Sequence, residues 1–256
     1  MVEKEIGGIG FIADRWPLDQ EKSTIVFMHG SGGTGYFWKA QVGGLAEHVN
    51  TVALDLPGHS RSGKEGKDTI ENYAQAVLEF IEAADIAHPI PCGLSIGGAI
   101  VMQLLLDYAE QFQAGILIGT GAKLKVIPMI FEKIEKDYSG FVEMLYKLSA
   151  SGKTAPEVIQ SFRDDLQQCD PRVAFGDFQA CNQFNVMERL GEINVPVLII
   201  SAEEDMLTPP KYADFLESAI PNTTRAHILD AGHIAPMEKP REVNQAIIEF
   251  LEHHGF

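Results

Sequence analysis

Six short, apolar and β-branched stretches set what this chain can fold into: Thr24–Met28, Thr51–Leu54, Ile90–Leu94, Gly115–Ile118, Val195–Ser201 and Arg225–Leu229. Several are continuous apolar runs without alternation, which is the pattern of strands covered on both faces. Helical spacing fills the gaps between them. Ile70–Ala84 carries apolar residues at Tyr73, Val77, Phe80, Ile81 and Ala84, and Ile96–Tyr108 and Val243–Leu251 behave similarly. Strands alternating with helices predict a mostly parallel α/β sheet flanked by helices. The rhythm breaks between Gly121 and Leu190, where amphipathic segments run through Ile130, Ile134, Phe141, Met144, Leu145 and Leu148, and again over Pro156–Leu166. Pro156 suits a helix start. Because core pattern resumes at Val195, the expected organisation is one core, residues 1–120 and 191–256, interrupted by a helical cap over 121–190.

Composition removes several classes of function. With 36 Asp+Glu against 20 Lys+Arg the net charge is −16, which argues against nucleic acid and anionic membrane surfaces as partners. The acidity belongs to the core, since 121–190 holds 9 Lys+Arg and 10 Asp+Glu. No apolar run approaches the roughly 20 residues needed to span a bilayer, and the first residues lack a signal-peptide core. Cys92, Cys169 and Cys181 are odd in number and form no C-x-x-C pair. A cytoplasmic protein without a disulfide framework is therefore expected. No Cys/His cluster has metal-ligand spacing, and His253-His254 reads as a solvated tail, so neither metal nor cofactor is expected.

The sharpest local signal is Gly93-Leu94-Ser95-Ile96-Gly97-Gly98, at the passage from an apolar strand into a helix pattern. It matches G-x-S-x-G, in which small flanking residues let a serine occupy a tight, strained turn and project its hydroxyl into a cleft. A serine needs a base. His233, in a loop after Arg225–Leu229 and preceded by Gly232, is the best placed histidine. The base needs an acid to fix its tautomer. Asp205, after Val195–Ser201, is the candidate, with Glu203 and Glu204 as competitors. All three residues sit just beyond predicted strands, where open α/β sheets build their sites. Upstream, His29-Gly30-Ser31-Gly32-Gly33-Thr34-Gly35 follows another strand and lacks both nucleotide-binding glycine patterns. It reads as a loop offering backbone N–H donors to an oxyanion.

Together His29-Gly30-Ser31-Gly32, Asp55-Leu56-Pro57-Gly58-His59-Ser60, Gly93-Leu94-Ser95-Ile96-Gly97-Gly98, Asp205, and Gly232-His233 followed by Glu238-Lys239-Pro240 resemble the α/β-hydrolase superfamily, in its small, cap-bearing, esterase-like branch. The resemblance implies the α/β-hydrolase fold, Ser95 as nucleophile, His233 as base and Asp205 as acid. It also implies oxyanion donors at the N–H of Ile96 and of Ser31, with Gly32 replacing Ser31 if the loop is shifted by one. Asp55, Pro57, Gly58, His59 and His29 read as structural, and Trp38 as core. Ser95 stands where dehalogenase-like and epoxide-hydrolase-like members carry Asp, and Ala99 weakens likeness to menaquinone-pathway members. The expected activity is cleavage of a carboxylic ester of a small, fairly apolar substrate through an acyl-enzyme. Carbon–carbon bond hydrolysis, thioester and peracid chemistry, and ligand reception on the same fold stay open. Met129, Phe131, Tyr138, Phe141, Met144, Tyr146, Phe162, Phe175, Phe178, Phe184 and Met187 suggest an apolar cap, a few of them facing the cleft, with Met206 and Leu207 also within reach.

Overall fold

The computed structural model describes residues 1–63 and 65–256. Eight strands form one sheet: β1 (Val2–Ile6), β2 (Ile9–Ala13), β3 (Thr24–Met28), β4 (Asn50–Leu54), β5 (Pro89–Leu94), β6 (Gly115–Ile118), β7 (Val197–Ala202) and β8 (Thr223–Ile228). Their order is β1-β2-β4-β3-β5-β6-β7-β8. β3 to β8 pair in parallel, for instance Val26 with Val52 and Ile116 with Leu198, while β1–β2 and β2–β4 are antiparallel.

The parallel strands show why their sequences do not alternate in polarity. Along β3, Val26 and Met28 enter one hydrophobic cluster while Ile25 and Phe27 enter the other. Along β7, Val197 and Ile199 face one way and Leu198 and Ile200 the other. Helices cover both faces, so both sets need apolar side chains. On one side lie α2 (Ile70–Ala83) and α3 (Ile96–Asp107); on the other lie α1 (Lys39–Gly44) and the C-terminal α10 (Pro240–His254). α3 is buried nearly all round, from Ile96 through Leu105. Truncating a buried leucine there, such as Leu104, costs about 2–5 kcal/mol. Trp38 is fully buried and stacks on Phe27 at 4.8 Å.

Between β6 and β7 the chain makes four helices and no strand: α4 (Pro128–Lys136), α5 (Tyr138–Ser149), α6 (Pro156–Gln168) and α7 (Pro171–Gln183). Proline opens α4, α6 and α7, where its missing N–H is not needed. After β7 come α8 (Lys211–Ala219) and, beyond β8, the single turn α9 (Ala235–Glu238).

Three sequence expectations need adjusting. The β1–β2 hairpin was not anticipated; it turns at Gly7-Gly8, with φ of 59° and 79°. β7 begins at Val197 because Pro196 brings no N–H to a ladder. β8 runs Thr223–Ile228, ending before Leu229, which is 61% exposed. Among the described residues no helix is long and apolar enough to cross a membrane.

Candidate active site

Ser95 stands between β5 and α3 with φ 57° and ψ −116°, a region non-glycine residues rarely occupy. The turn is tight enough that a Cβ on Gly93 would lie 2.1 Å from the carbonyl of Gly97, and one on Gly97 would lie 2.3 Å from Met28 O. Only glycine fits at either position. The Ser95 side chain makes no capping bond to α3, so it is not spent on the helix end. Ser95 lines a cavity.

His233 lines the same cavity, on the loop after β8. Its Nδ1 lies 2.9 Å from Asp205 Oδ2, and Thr208 Oγ1 donates to that same oxygen at 2.8 Å. Asp205 Oδ1 accepts the N–H groups of Leu207 and Thr208 at 2.9 and 2.8 Å. Burial alone would raise the Asp205 pKa, but His233 and these donors together hold it below the usual carboxylate value. The acid is therefore ionised and fixed, and its bond leaves His233 Nε2 without a partner among the described residues. The competitors are occupied elsewhere. Glu203 accepts Asp230 N–H at 3.1 Å, and Glu204 pairs with Lys153 at 2.9 Å and with Ser151 at 2.6 Å.

The glycine loop after β3 completes the cluster. A Cβ on Gly30 would lie 3.7 Å from Ser95 Cβ, so the loop passes directly beside the serine. The N–H of Gly32 is engaged by Asp177 Oδ2 at 2.9 Å, and that of Gly33 by Gly30 O at 3.0 Å. The N–H groups of Ser31 and Ile96 have no acceptor among the described residues. Of the two alternatives for the loop donor, Gly32 is thus already spent and Ser31 is free.

The cavity measures about 330 Å³. Its walls are mostly apolar: Leu94, Leu124, Val126, Ile127, Ile130, Met144, Leu145, Leu148, Phe162, Phe178, Met206, Leu207 and Ile234. Among the described residues Lys125 is the one lining residue with a permanent charge, and no carboxylate lines the cavity. Of the apolar residues expected over the site, Met144, Phe162, Phe178, Met206 and Leu207 reach the cavity. Phe141 instead packs edge-on against Phe178 at 5.5 Å, while Met129 and Met187 point outward at 48% and 41% exposure.

A sheet of this order, with a strained serine after one central strand and an Asp–His pair on later loops, matches a known family over most of its length. The model of the alpha/beta hydrolase family matches residues 25–246. The chain belongs to the alpha/beta hydrolase family. It is similar to 3-oxoadipate enol-lactonase 1 of Acinetobacter baylyi, 24% identical over 242 residues covering 89% of this chain and 88% of the relative. It is also similar to the pimeloyl-[acyl-carrier protein] methyl ester esterase of Vibrio vulnificus, 23% identical over 92% of this chain and 96% of that one. Among solved structures, a thermophilic esterase superposes with a TM-score of 0.84 at 29% identity, covering 99% of this chain and 98% of its own.

This alpha/beta hydrolase carries further site residues that sequence reasoning missed or undervalued. Asp177 on α7, only 1% exposed, accepts Tyr73 OH at 2.5 Å and lies 3.0 Å from His59 Nε2, besides holding Gly32. His59 belongs to a loop whose sequence reads as structural and gives no sign of this partner. Nor does anything in the local pattern around Asp177 mark it out. His29 donates through Nδ1 to Gly30 O at 2.8 Å and accepts Leu56 N–H at 3.0 Å. Burial, with His59 beside it, lowers its pKa to about 4, so it is neutral at physiological pH. Glu238, by contrast, belonged to a recognised motif. It ties the histidine loop to the turn after α5, accepting Gly232 N–H and Ser151 N–H, both at 2.8 Å.

Proposed function

We propose that this protein is a serine hydrolase that cleaves a carboxylic ester of a small, fairly apolar substrate through an acyl-enzyme. One observation carries the reading: a serine held in a strained turn, without a capping role, opens on the same cavity as a histidine whose Nδ1 is fixed by a buried, ionised aspartate. Such a serine becomes nucleophilic once an imidazole takes its proton. Ser95 Oγ attacks the ester carbonyl and its proton passes to His233 Nε2. Asp205 stabilises the imidazolium. The negative charge that develops on the carbonyl oxygen falls to the N–H groups of Ser31 and Ile96, each worth about 2.7–4 kcal/mol in such a site. His233 then protonates the departing alcohol, and in the second half it draws a proton from water, which attacks the acyl carbon and regenerates Ser95.

The substrate class follows from the walls. A mostly apolar cavity of about 330 Å³ suits a short aliphatic or aromatic acid or alcohol. The insertion over 121–190 acts as a cap, since Met144, Phe162 and Phe178 from α5, α6 and α7 form part of the roof. Ester cleavage is also the activity named for the curated relatives above, the esterase and the lactonase. Two measurements test the reading. Intact mass after treatment with an organophosphonate should rise by one adduct on wild type and stay unchanged on Ser95→Ala. Turnover of p-nitrophenyl esters of increasing chain length should peak at short acyl groups and exceed that of matched thioesters and vinylogous diketones. Folded wild-type protein that takes up no phosphonate would rule the proposal out.

A further inference from the structure

The nucleophile, base and acid all come from loops of the core, but the loop that offers Ser31 N–H is held by the inserted helices. Asp177 of α7 reaches across to accept Gly32 N–H at 2.9 Å. Gly32 has φ 69°, a backbone that a side chain would strain, and a Cβ there would lie 2.9 Å from Leu166 of α6. Two residues on, Thr34 Oγ1 donates to Asp165 Oδ2 of α6 at 3.0 Å. The loop is therefore clamped from above by a hydrogen bond at Gly32 and a second one at Thr34, with Leu166 filling the space beside Gly32.

Behind the clamp, Asp177 is itself locked. Its Oδ1 accepts Tyr73 OH at 2.5 Å, and its Oδ2 is shared between Gly32 N–H and His59 Nε2 at 3.0 Å. His59 Nδ1 faces Pro57 O at 3.1 Å. Both ring nitrogens thus meet oxygens that carry no proton, which requires the doubly protonated imidazolium. Burial opposes that charge, but Asp177 more than compensates and raises the His59 pKa well above 6.5. A charge-assisted bond of this kind is stiffer than a neutral one, so the carboxylate has little freedom to drift.

We propose that Asp177 is a positioning residue for the oxyanion loop: by taking Gly32 N–H away from the cavity it turns the preceding Ser31 N–H toward the carbonyl held at Ser95. The inference rests on the acyl-enzyme reading above. It makes the inserted helices part of the transition-state machinery as well as the roof, because α7 cannot move off the core without releasing Gly32. A displacement of the loop by about 1 Å is enough to cost about 100-fold in rate, with little effect on substrate capture.

The test compares wild type, Asp177→Ala and Asp177→Asn on p-nitrophenyl acetate, with phosphonate labelling of Ser95 followed by intact mass. Asparagine can present its amide oxygen to Gly32 N–H and His59 and its NH₂ to Tyr73 OH, so it keeps the bond to Gly32 while giving up the charge that faces His59. Asp177→Ala should lose about 100-fold in kcat with KM within about threefold, and Asp177→Asn should recover to within about tenfold of wild type. A loss of less than tenfold in a folded Asp177→Ala, or a loss in KM alone, overturns the inference while leaving the hydrolase reading intact. No adduct on wild type overturns both. If circular dichroism shows that Asp177→Ala does not fold, Asp177→Asn decides by itself. Retained kcat with slow hydrogen exchange at the Gly32 amide supports the role, and a fall beyond about 100-fold in the folded asparagine variant removes it.

Discussion

Among the described residues two buried aspartate–histidine pairs have nearly equal length, Asp205–His233 at 2.9 Å and Asp177–His59 at 3.0 Å. They differ in what the second ring nitrogen meets. His233 gives only Nδ1 to its partner, and the ring lines the cavity. His59 gives Nε2 to Asp177 and faces Pro57 O with Nδ1, so no nitrogen is left for a substrate. In the proposed mechanism the first pair moves protons and the second holds a loop still. The lesson is that an Asp–His contact alone does not mark a base. The free nitrogen does.

The largest test of that contrast removes the groups proposed to react. Ser95→Ala and His233→Ala should each lower kcat on a p-nitrophenyl ester by about 10⁶-fold, while His59→Gln keeps its phosphonate reactivity at Ser95 at a reduced rate. If His59→Gln labels no better than His233→Ala, the two histidines are not distinct in kind. Next comes Asp205→Asn, expected to cost about 10⁴-fold in kcat because the imidazole loses its tautomer. Its mirror, Asp177→Asn, should fall far less.

A third effect appears in stability. His59→Gln leaves Asp177 buried without its cation, which costs roughly 3–5 kcal/mol and lowers Tm by about 10 °C in calorimetry. The pH dependence follows from the directions of the two shifts. His59 has its pKa raised, so its contribution is complete below the usual 6.5 and is lost as pH climbs through the raised value. Asp177 is held below the usual 3.8, so its share is lost as pH falls through the lowered value. The Tm gap between wild type and His59→Gln should therefore be widest between pH 3.8 and 6.5 and shrink at alkaline pH. A gap that keeps growing as pH rises above 6.5 would refute a charged His59.

The smallest effect belongs to the second clamp. Burial lifts the Asp165 pKa to about 6, partly offset by the bond from Thr34. A raised carboxyl favours the protonated folded state, so ionisation costs stability as pH rises through 6. Asp165→Asn keeps an acceptor for Thr34 and should gain roughly 1 kcal/mol at pH 8, after allowance for solvent screening, with no gain at pH 4. A gain independent of pH would point away from the carboxylate.

Much of this was legible before any coordinates. The crowding at Gly93 and Gly97 is written as two glycines around Ser95, because no side chain fits there. The run Ile90–Leu94 reads as a covered strand since neither face meets water. The hairpin β1–β2 escaped notice although Gly7-Gly8 between two β-capable runs was a usable turn signal. Its residues Val2, Lys4 and Ile6 mix polarity because β1 lies at the sheet edge and its residues are exposed or half-buried. The cavity walls were only partly foreseen. Phe141 on α5 and Phe178 on α7 belong to one insertion and touch each other, yet only Phe178 reaches the cavity. Helical period says which residues share a face, not which neighbour that face meets.

What the sequence determined by itself is the parallel sheet and the placement of Ser95, Asp205 and His233 beyond its strands. Those features depend on local causes: the period of burial, the steric demand for glycine, and the stop of each strand. Tertiary structure alone decided that Gly32 is occupied and Ser31 free, and that His59 is sealed while His233 is open. These outcomes turn on a bond such as Gly32 N–H to Asp177, which joins residues 145 apart in the chain. Nothing in the residues around Asp177 encodes that meeting, because it is produced by the packing of α7 onto the core.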